Sequence, residues 1–430
     1  MRLFLGILTF LLIAPSITRA NPPDYLTDDH EPAVRAAELA SPFTEYVTEK
    51  PPGPLAAFSS DPFFRYAVFS LQPRLYYRNL QNSSGVQEAF AAGGSLGFTT
   101  GWWRDTLQLG LTGYTTQPVV APDGAGNTGL LRPNGDGFFV LGQAWARLRA
   151  GPATATLFRQ ALDLPFINGN DSRMIPNTFE AYQLEMEPWP IFRLNVGYVA
   201  AVKARTSATF EPMSAIAGAP QVNRGTSFAG FLIGSEDRSY LGAIGEMTGD
   251  LFSCTYVQGG HTWQFSDDFE LRGDAQFIDQ RSVGNELLGT FNTQLYGAEF
   301  TASYADALLS LEFDDTAGGT AIRNPFGGDP TFNSLMISNF NQAHEKSYGI
   351  GITYDFSKLG LTGVTGFGAY AYGSMPAGRW EEEVNATVDY RIMTGALKNC
   401  WLRLRYAHNV SNASVPTQDF RVIFDYAIIF

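Results

Sequence analysis

Phe420-Arg421-Val422-Ile423-Phe424-Asp425-Tyr426-Ala427-Ile428-Ile429-Phe430 closes the chain. Phe420, Val422, Phe424, Tyr426, Ile428 and Phe430 are apolar or aromatic, while the alternate positions include Arg421 and Asp425. Successive side chains of a strand point to opposite faces, so period-two alternation gives this strand one greasy face and one charged face. A strand set between lipid and water has that need.

The opposite end agrees with an exported barrel. Met1-Arg2 is a basic start, Leu3 to Ile13 is almost unbroken apolar chain, and Thr18-Arg19-Ala20 offers small residues where a signal peptidase reads. The apolar run is too short to span a bilayer, so residues 1–20 are expected to be a secretory signal peptide. Its loss removes Arg2 and Arg19 and no acid, moving the formal net charge from −13 to −15. Such an acidic chain repels nucleic acid. Beyond it no apolar run approaches the length of a transmembrane helix.

Composition points the same way. Only 17% of residues are charged, against about 25% for soluble domains. Glycine is 44 of 430 and aromatics reach 14%. A closed barrel faces lipid with every second residue and reconciles these values with the missing apolar runs. A final aromatic such as Phe430 resembles the signal read by outer-membrane barrel assembly machinery.

Residues 21–62 differ, holding eight prolines from Pro22 to Pro62. Proline withholds ladder donors, so this segment reads as a periplasmic N-terminal extension, with one short helix around Ala33 to Leu39. Residues 63–430 read as the barrel, its first strand at Phe64 to Asn79. Alternating stretches are broken by short turns, near Trp103 to Asp105, Gly151-Pro152, Glu236 to Arg238, Ala305-Asp306 and elsewhere. Long connections intervene at Pro118 to Gly137, Asp163 to Asn177, Arg205 to Gly225 and Thr316 to Glu345. Short periplasmic turns and long outer loops alternate in outer-membrane barrels. The count is an all-β transmembrane antiparallel barrel of about eighteen strands, wide enough for an aqueous lumen.

Alternation then assigns faces. Leu75 and Tyr77 point to lipid, leaving Arg74 and Arg78 inside. Arg403 and Arg405 oppose Leu402, Leu404 and Tyr406, and Arg391 and Asp389 oppose Val388 and Tyr390. A charge on the lipid face costs roughly 2–4 kcal/mol at mid-bilayer, so these arginines and Arg421 face the lumen. Closure makes the last strand the neighbour of the first, and Arg391, Arg403, Arg405, Arg421, Arg74 and Arg78 form a basic stripe on four adjacent strands. Guanidinium suits planar carboxylates. The stripe reads either as a ladder of anion sites or as partners for lumen acids such as Asp389 and Asp425.

Residues 163–179, Asp-Leu-Pro-Phe-Ile-Asn-Gly-Asn-Asp-Ser-Arg-Met-Ile-Pro-Asn-Thr-Phe, carry a specific likeness. Leu164-Pro165, Asn170-Asp171, Arg173, Pro176 and Phe179 resemble the third-loop signature of the OprD-type outer-membrane porins, or carboxylate channels. Trp401-Leu402-Arg403-Leu404-Arg405-Tyr406 and Phe420 to Tyr426 resemble that family's late strands. The resemblance implies an eighteen-stranded barrel whose third loop folds inward as an eyelet, with Asn170, Asp171, Ser172 and Arg173 at the constriction. It implies a basic ladder facing an acidic side, to which Asp314, Asp315 and Asp329 are assigned by region. It also implies passive, partly selective diffusion of small anionic or carboxylate-bearing solutes, with a homotrimer among the assemblies open to it. The expected location is the cell outer membrane of a Gram-negative type bacterium.

Other motifs carry nothing. Gly93 to Gly97 matches a nucleophile elbow but lies inside an alternating strand. Gly366 to Ala371 has no helix after it. His30, His261, His344 and His408 have no metal-ligand spacing, and no P-loop exists. No cofactor is expected. An outer-membrane lipase or protease barrel, the rival reading, needs a Ser–His pair that the sequence does not display; a structural barrel is the third.

Overall fold

The computed structural model describes residues 53–57, 59–395, 397–398 and 400–429. The expected signal peptide, the helix around Ala33 to Leu39 and the terminal Phe430 lie outside the described residues. Within them, the end of the Pro-rich segment forms one helical turn, Pro62–Arg65. Asp61 caps it by accepting from the Phe63 amide at 2.9 Å, and Pro62 takes the first position, where its missing N–H costs nothing. The first strand therefore begins at Val68, not at Phe64.

Twenty strands, less the two-residue pieces Glu211–Pro212 and Ile428–Ile429, leave eighteen long ones. They are β1 (Val68–Asn82), β2 (Gly85–Thr99), β3 (Leu107–Val120), β4 (Phe138–Ala150), β5 (Ala153–Gln160) and β6 (Thr178–Trp189). Next come β7 (Phe192–Lys203), β8 (Thr226–Ser235), β9 (Ser239–Thr248), β10 (Phe252–Gln264), β11 (Phe269–Ser282) and β12 (Asn292–Tyr304). The last six are β13 (Ala307–Thr316), β14 (Lys346–Asp355), β15 (Val364–Met375), β16 (Arg379–Arg391), β17 (Cys400–Ser411) and β18 (Thr417–Tyr426). Each pairs antiparallel with the next, and β18 pairs with β1 from Arg74↔Asp425 to Gln81↔Gln418. The sheet is closed, so no strand edge is left unpaired. The last strand starts three residues earlier than the aromatic pattern suggested, at Thr417.

Burial is inverted relative to a soluble protein. Leu75, Leu402, Leu404, Tyr406 and Phe420 are exposed, whereas Arg74, Arg78, Arg403, Arg405 and Arg421 are buried. Among the described residues no helix is long and apolar enough to cross a membrane; the strands do the crossing.

The long connections fill the lumen. L2 (121–137), L3 (161–177), L4 (204–225) and L7 (317–345) follow β3, β5, β7 and β13. Leu162, Leu164, Phe166 and Ile167 of L3 pack with Phe326 of L7 onto Phe179, Ile244, Phe252 and Ile278 of the wall. Leu130 and Leu131 of L2 join Met174 and Ile175 of L3 against Tyr76, Trp401 and Ile423. Removing such side chains from water contributes about 1.5–3 kcal/mol apiece. Inward-facing apolar wall residues thus hold loops rather than line water.

Candidate functional site

Pairing register turns the basic stripe into a row. Arg405 lies directly opposite Arg421, and Arg421 directly opposite Arg78, on β17, β18 and β1. Opposite residues of an antiparallel pair have Cβ atoms about 4.5–5.5 Å apart. Three guanidiniums so close need acid nearby, and Asp419 supplies it. Its carboxylate takes Arg78 Nη2 at 2.5 Å and Arg421 Nη2 at 2.8 Å with no exposure to solvent. Arg405 donates to Thr387 Oγ1 at 3.2 Å.

The other arginines stand apart from that row. Arg403 meets Asp389 through two bonds of 2.7 and 2.8 Å. Arg391 lies at the short-turn end of β16, in register with Trp401. Arg74 is a clamp: its Nε donates to Asp425 at 2.7 Å, and its two Nη atoms grip Asp171 of L3 at 2.7 and 2.8 Å. Arg74 Nη1 also donates to the Arg173 carbonyl. Arg78 Nη1 likewise donates to the Thr128 carbonyl of L2 at 2.6 Å. The structure therefore places several of the stripe's guanidiniums against acids and loop carbonyls, fastening L2 and L3 to the wall.

L3 lies inside the barrel, tied to the wall and to L7. Tyr76 Oη donates to the Ser172 carbonyl, and Asn170, at φ 43°, donates from Nδ2 to the Gly327 carbonyl of L7 at 2.8 Å. Ser172 Oγ donates to Asn170 and receives Arg205 of L4. Gly327 must be glycine: its φ is 102°, and a Cβ would collide with Asn177 Nδ2 and the Asn168 carbonyl. Between these loops lies a polar cavity of about 440 Å³, with Asn170, Ser172, Arg173 and Arg205 on one side and Asp329 and Asn339 on the other.

Arg173 lines the cavity with a perturbed guanidinium. Burial, with the neighbouring Arg78, Arg421 and Arg205 guanidiniums, pushes its own guanidinium down to about 9. Its donors reach the Ser172 carbonyl and hydroxyl, and among the described residues no carboxylate pairs with it. Asp171 behind it is raised by burial, an effect that Arg74 opposes. The positive field at Arg173 is thus less compensated than along the wall.

The three acids assigned by region part company. Asp329 lines the cavity and accepts from Thr331 Oγ1, Asn324 and Asn341 at 2.7, 2.8 and 3.0 Å. Asp314 is buried under L7, accepting from the Asn333 amide at 2.8 Å and Gln276 at 3.0 Å, so it anchors that loop instead of facing the passage. Asp315 is one residue out of step: it falls on the lipid-facing row of Leu309 and Leu311 and pairs with Lys346 at 3.2 Å. Asp314 and Asp315 are corrections to the expected acidic side. Asp419 and Arg205 were not foreseen. A Ser–His contact also exists, Ser239 Oγ to His261 Nδ1 at 2.5 Å, but on the lipid-facing rows beside Leu241 and Trp263. No acid completes it among the described residues.

A closed eighteen-strand barrel whose long loops fold inward to frame a charged passage is the architecture of an outer-membrane diffusion channel. The chain belongs to the OprD family of outer-membrane porins, whose family model, "outer membrane porin, OprD family", matches residues 62–430. It is 23% identical to Porin D of Pseudomonas aeruginosa over 301 residues, 61% of this chain and 67% of that protein. It is 21% identical to the porin-like protein GalP of Pseudomonas putida, across 82% of this chain and 88% of that one. The crystal structure of Pseudomonas aeruginosa OpdK with vanillate superposes with a TM-score of 0.78 at 23% identity, covering 86% of this chain and all of that one. That of Pseudomonas aeruginosa OccK2 (OpdF) in complex with glucuronate gives 0.76 at 21%, covering 86% and 99%. The described barrel has the fold of these solved structures.

Proposed function

We propose that this porin admits small hydrophilic solutes carrying a carboxylate, moving down their own gradient through the L3–L4–L7 cavity. The observation that carries the reading is Arg173: a guanidinium at a polar cavity, depressed by burial and then by three cationic neighbours, and without an acid partner among the described residues. A solute carboxylate would relieve that repulsion and accept a planar pair of hydrogen bonds. Arg205 sits beside it on Ser172, while Asp329 on the far wall repels a second negative group and attracts a cationic one. The OpdK and OccK2 complexes support a carboxylate preference, since vanillate and glucuronate both carry one. Arg403, Arg405 and Arg421 extend the positive field along the wall even where they are paired.

The remaining parts of the proposal concern biogenesis. Residues 1–20 direct export, residues 21–62 lie in the periplasm, and Phe430 engages the assembly machinery; a homotrimer is the assembly to be tested. Liposome swelling with a carboxylate sugar and its neutral counterpart tests the central claim. Arg173→Gln with Arg205→Gln should slow the carboxylate and spare the neutral sugar. Equal slowing of both solutes, or of neither, would sink it.

A further inference from the structure

We infer that the outer face of β2 to β5 holds one membrane phospholipid with an anionic headgroup. The lipid-facing rows there form a groove of about 480 Å³. Ala144 and Ala146 make its floor, in register with Leu111 and Leu109, while Phe98, Phe158 and Phe63 stand along its sides. Small residues between large ones leave a trench, with exposed Leu141 and Leu148 further along the same strand.

One wall of this trench is bought with strain. By alternation Phe158 belongs to the lumen row of Thr156 and Gln160, both buried. It has φ 78°, a conformation that a bulky residue avoids, and its ring lines the groove instead, 44% exposed. Its register partner Trp145 faces inward, its ring lying against Gly110. Only the Arg159 guanidinium, 5.3 Å from the ring centre, lies over Phe158, and the rest of this strained side chain is left to the groove.

The groove opens toward the short-turn rim, which is the periplasmic side of such barrels. Phe63 and Thr100 form that end, and the Gly101 amide donates to the Phe63 carbonyl at 2.8 Å. This bond joins the two segments that carry Arg65 and Arg104. Both arginines are exposed, each lies over an aromatic ring (Tyr66 at 5.8 Å, Trp103 at 4.9 Å), and neither forms an ion pair among the described residues. On a chain this acidic, two uncompensated guanidiniums at headgroup depth complement a phosphate. Aromatic rings beside them suit the interface. Acyl chain in the trench and phosphate at Arg65 and Arg104 satisfy both ends of one molecule.

Native mass spectrometry of the full-length barrel, extracted from vesicles of mixed phosphatidylglycerol and phosphatidylcholine, tests this. Wild type should retain one phosphatidylglycerol. Ala146→Phe should fill the trench and lose it, while folding as judged by heat-modifiable gel migration is kept. Arg65→Gln and Arg104→Gln should each reduce the preference for phosphatidylglycerol roughly fivefold. Equal retention of the two lipids, retention by Ala146→Phe, or conversion of a wild-type trimer into monomers by Ala146→Phe overturns the inference, the last by making the groove a subunit contact. If Ala146→Phe does not fold, the arginine variants decide alone.

Discussion

Arg421 and Arg78 face each other across the seam that closes the barrel and share the carboxylate of Asp419. The closure that makes β18 and β1 neighbours thus brings together like charges, and one buried acid holds them. This relationship ties the mechanical seam to the electrostatics of the passage, because Arg173 feels both guanidiniums.

Asp419→Asn should therefore act twice. Removing one partner from a buried charge pair costs about 3–5 kcal/mol, which urea unfolding of the refolded barrel would register. The uncompensated arginines should also shift the reversal potential in a salt gradient toward anion selectivity. An unchanged stability would mean that the seam does not depend on this acid.

L3 is held by Arg74 and Asp171 and in turn holds L7 through Asn170 and Gly327. Deleting residues 168–174 should raise single-channel conductance and add current noise as L7 loses its support. Arg74→Ala should reproduce the noise without the full rise in conductance. Planar bilayer recordings separate the two outcomes, and a silent deletion would remove L3 from the constriction.

The far end of L7 supplies a pH dependence. Glu345 is pushed up to about 8 from an ordinary 4.5, first by burial and then by Glu381 on β16, with Arg379 opposing. Its carboxyl lies against Gly373, where a Cβ would collide with it, and Glu383 nearby accepts the Ile337 and Ser338 amides of the same loop. A carboxyl raised in the folded state stabilises it at acid pH and loses that stabilisation as pH climbs between about 4.5 and about 8. L7 should thus be firmest at pH 4 to 5 and fluctuate more by pH 8, as seen in current noise. Glu345→Gln should flatten the dependence.

Much of this was legible beforehand, and the reasons are specific. Strand faces follow from period two, which is why Arg403 and Arg405 could be assigned from Leu402, Leu404 and Tyr406. Asp419 lies just outside the aromatic pattern that begins at Phe420; extending the alternation back by one residue puts it on the row of Arg421. Asp315 sits next to L7 in sequence, but its parity, marked by Leu309 and Leu311, puts it on the lipid-facing row. Arg205 had no signal at all: a loop residue has no period, and only the packing of L4 onto Ser172 brings it to the cavity. Nor does alternation reveal that Trp401 and Ile423 face a core of loops instead of water.

Strand direction also settles the cysteines. Cys254 opens β10 and Cys400 opens β17, strands running oppositely seven places apart, and both thiols are free and buried. Intact mass without reduction should show no intramolecular bond, and a bulky maleimide should label neither until the barrel is unfolded. Labelling of Cys400 in the folded protein would indicate an open rim there.

Because L2, L3, L4 and L7 are packed inside, the usual map of tolerance turns over. In most proteins long connections accept extra residues and short ones resist. Here the long ones carry fully buried Leu130, Ile167, Phe326 and Phe340, whereas the two residues between Asn82 and Gly85 join β1 to β2 at the exposed rim. A reporter tag spliced at Ser83-Ser84 would stand clear of the molecule, and the same tag in L7 would have to displace its interior.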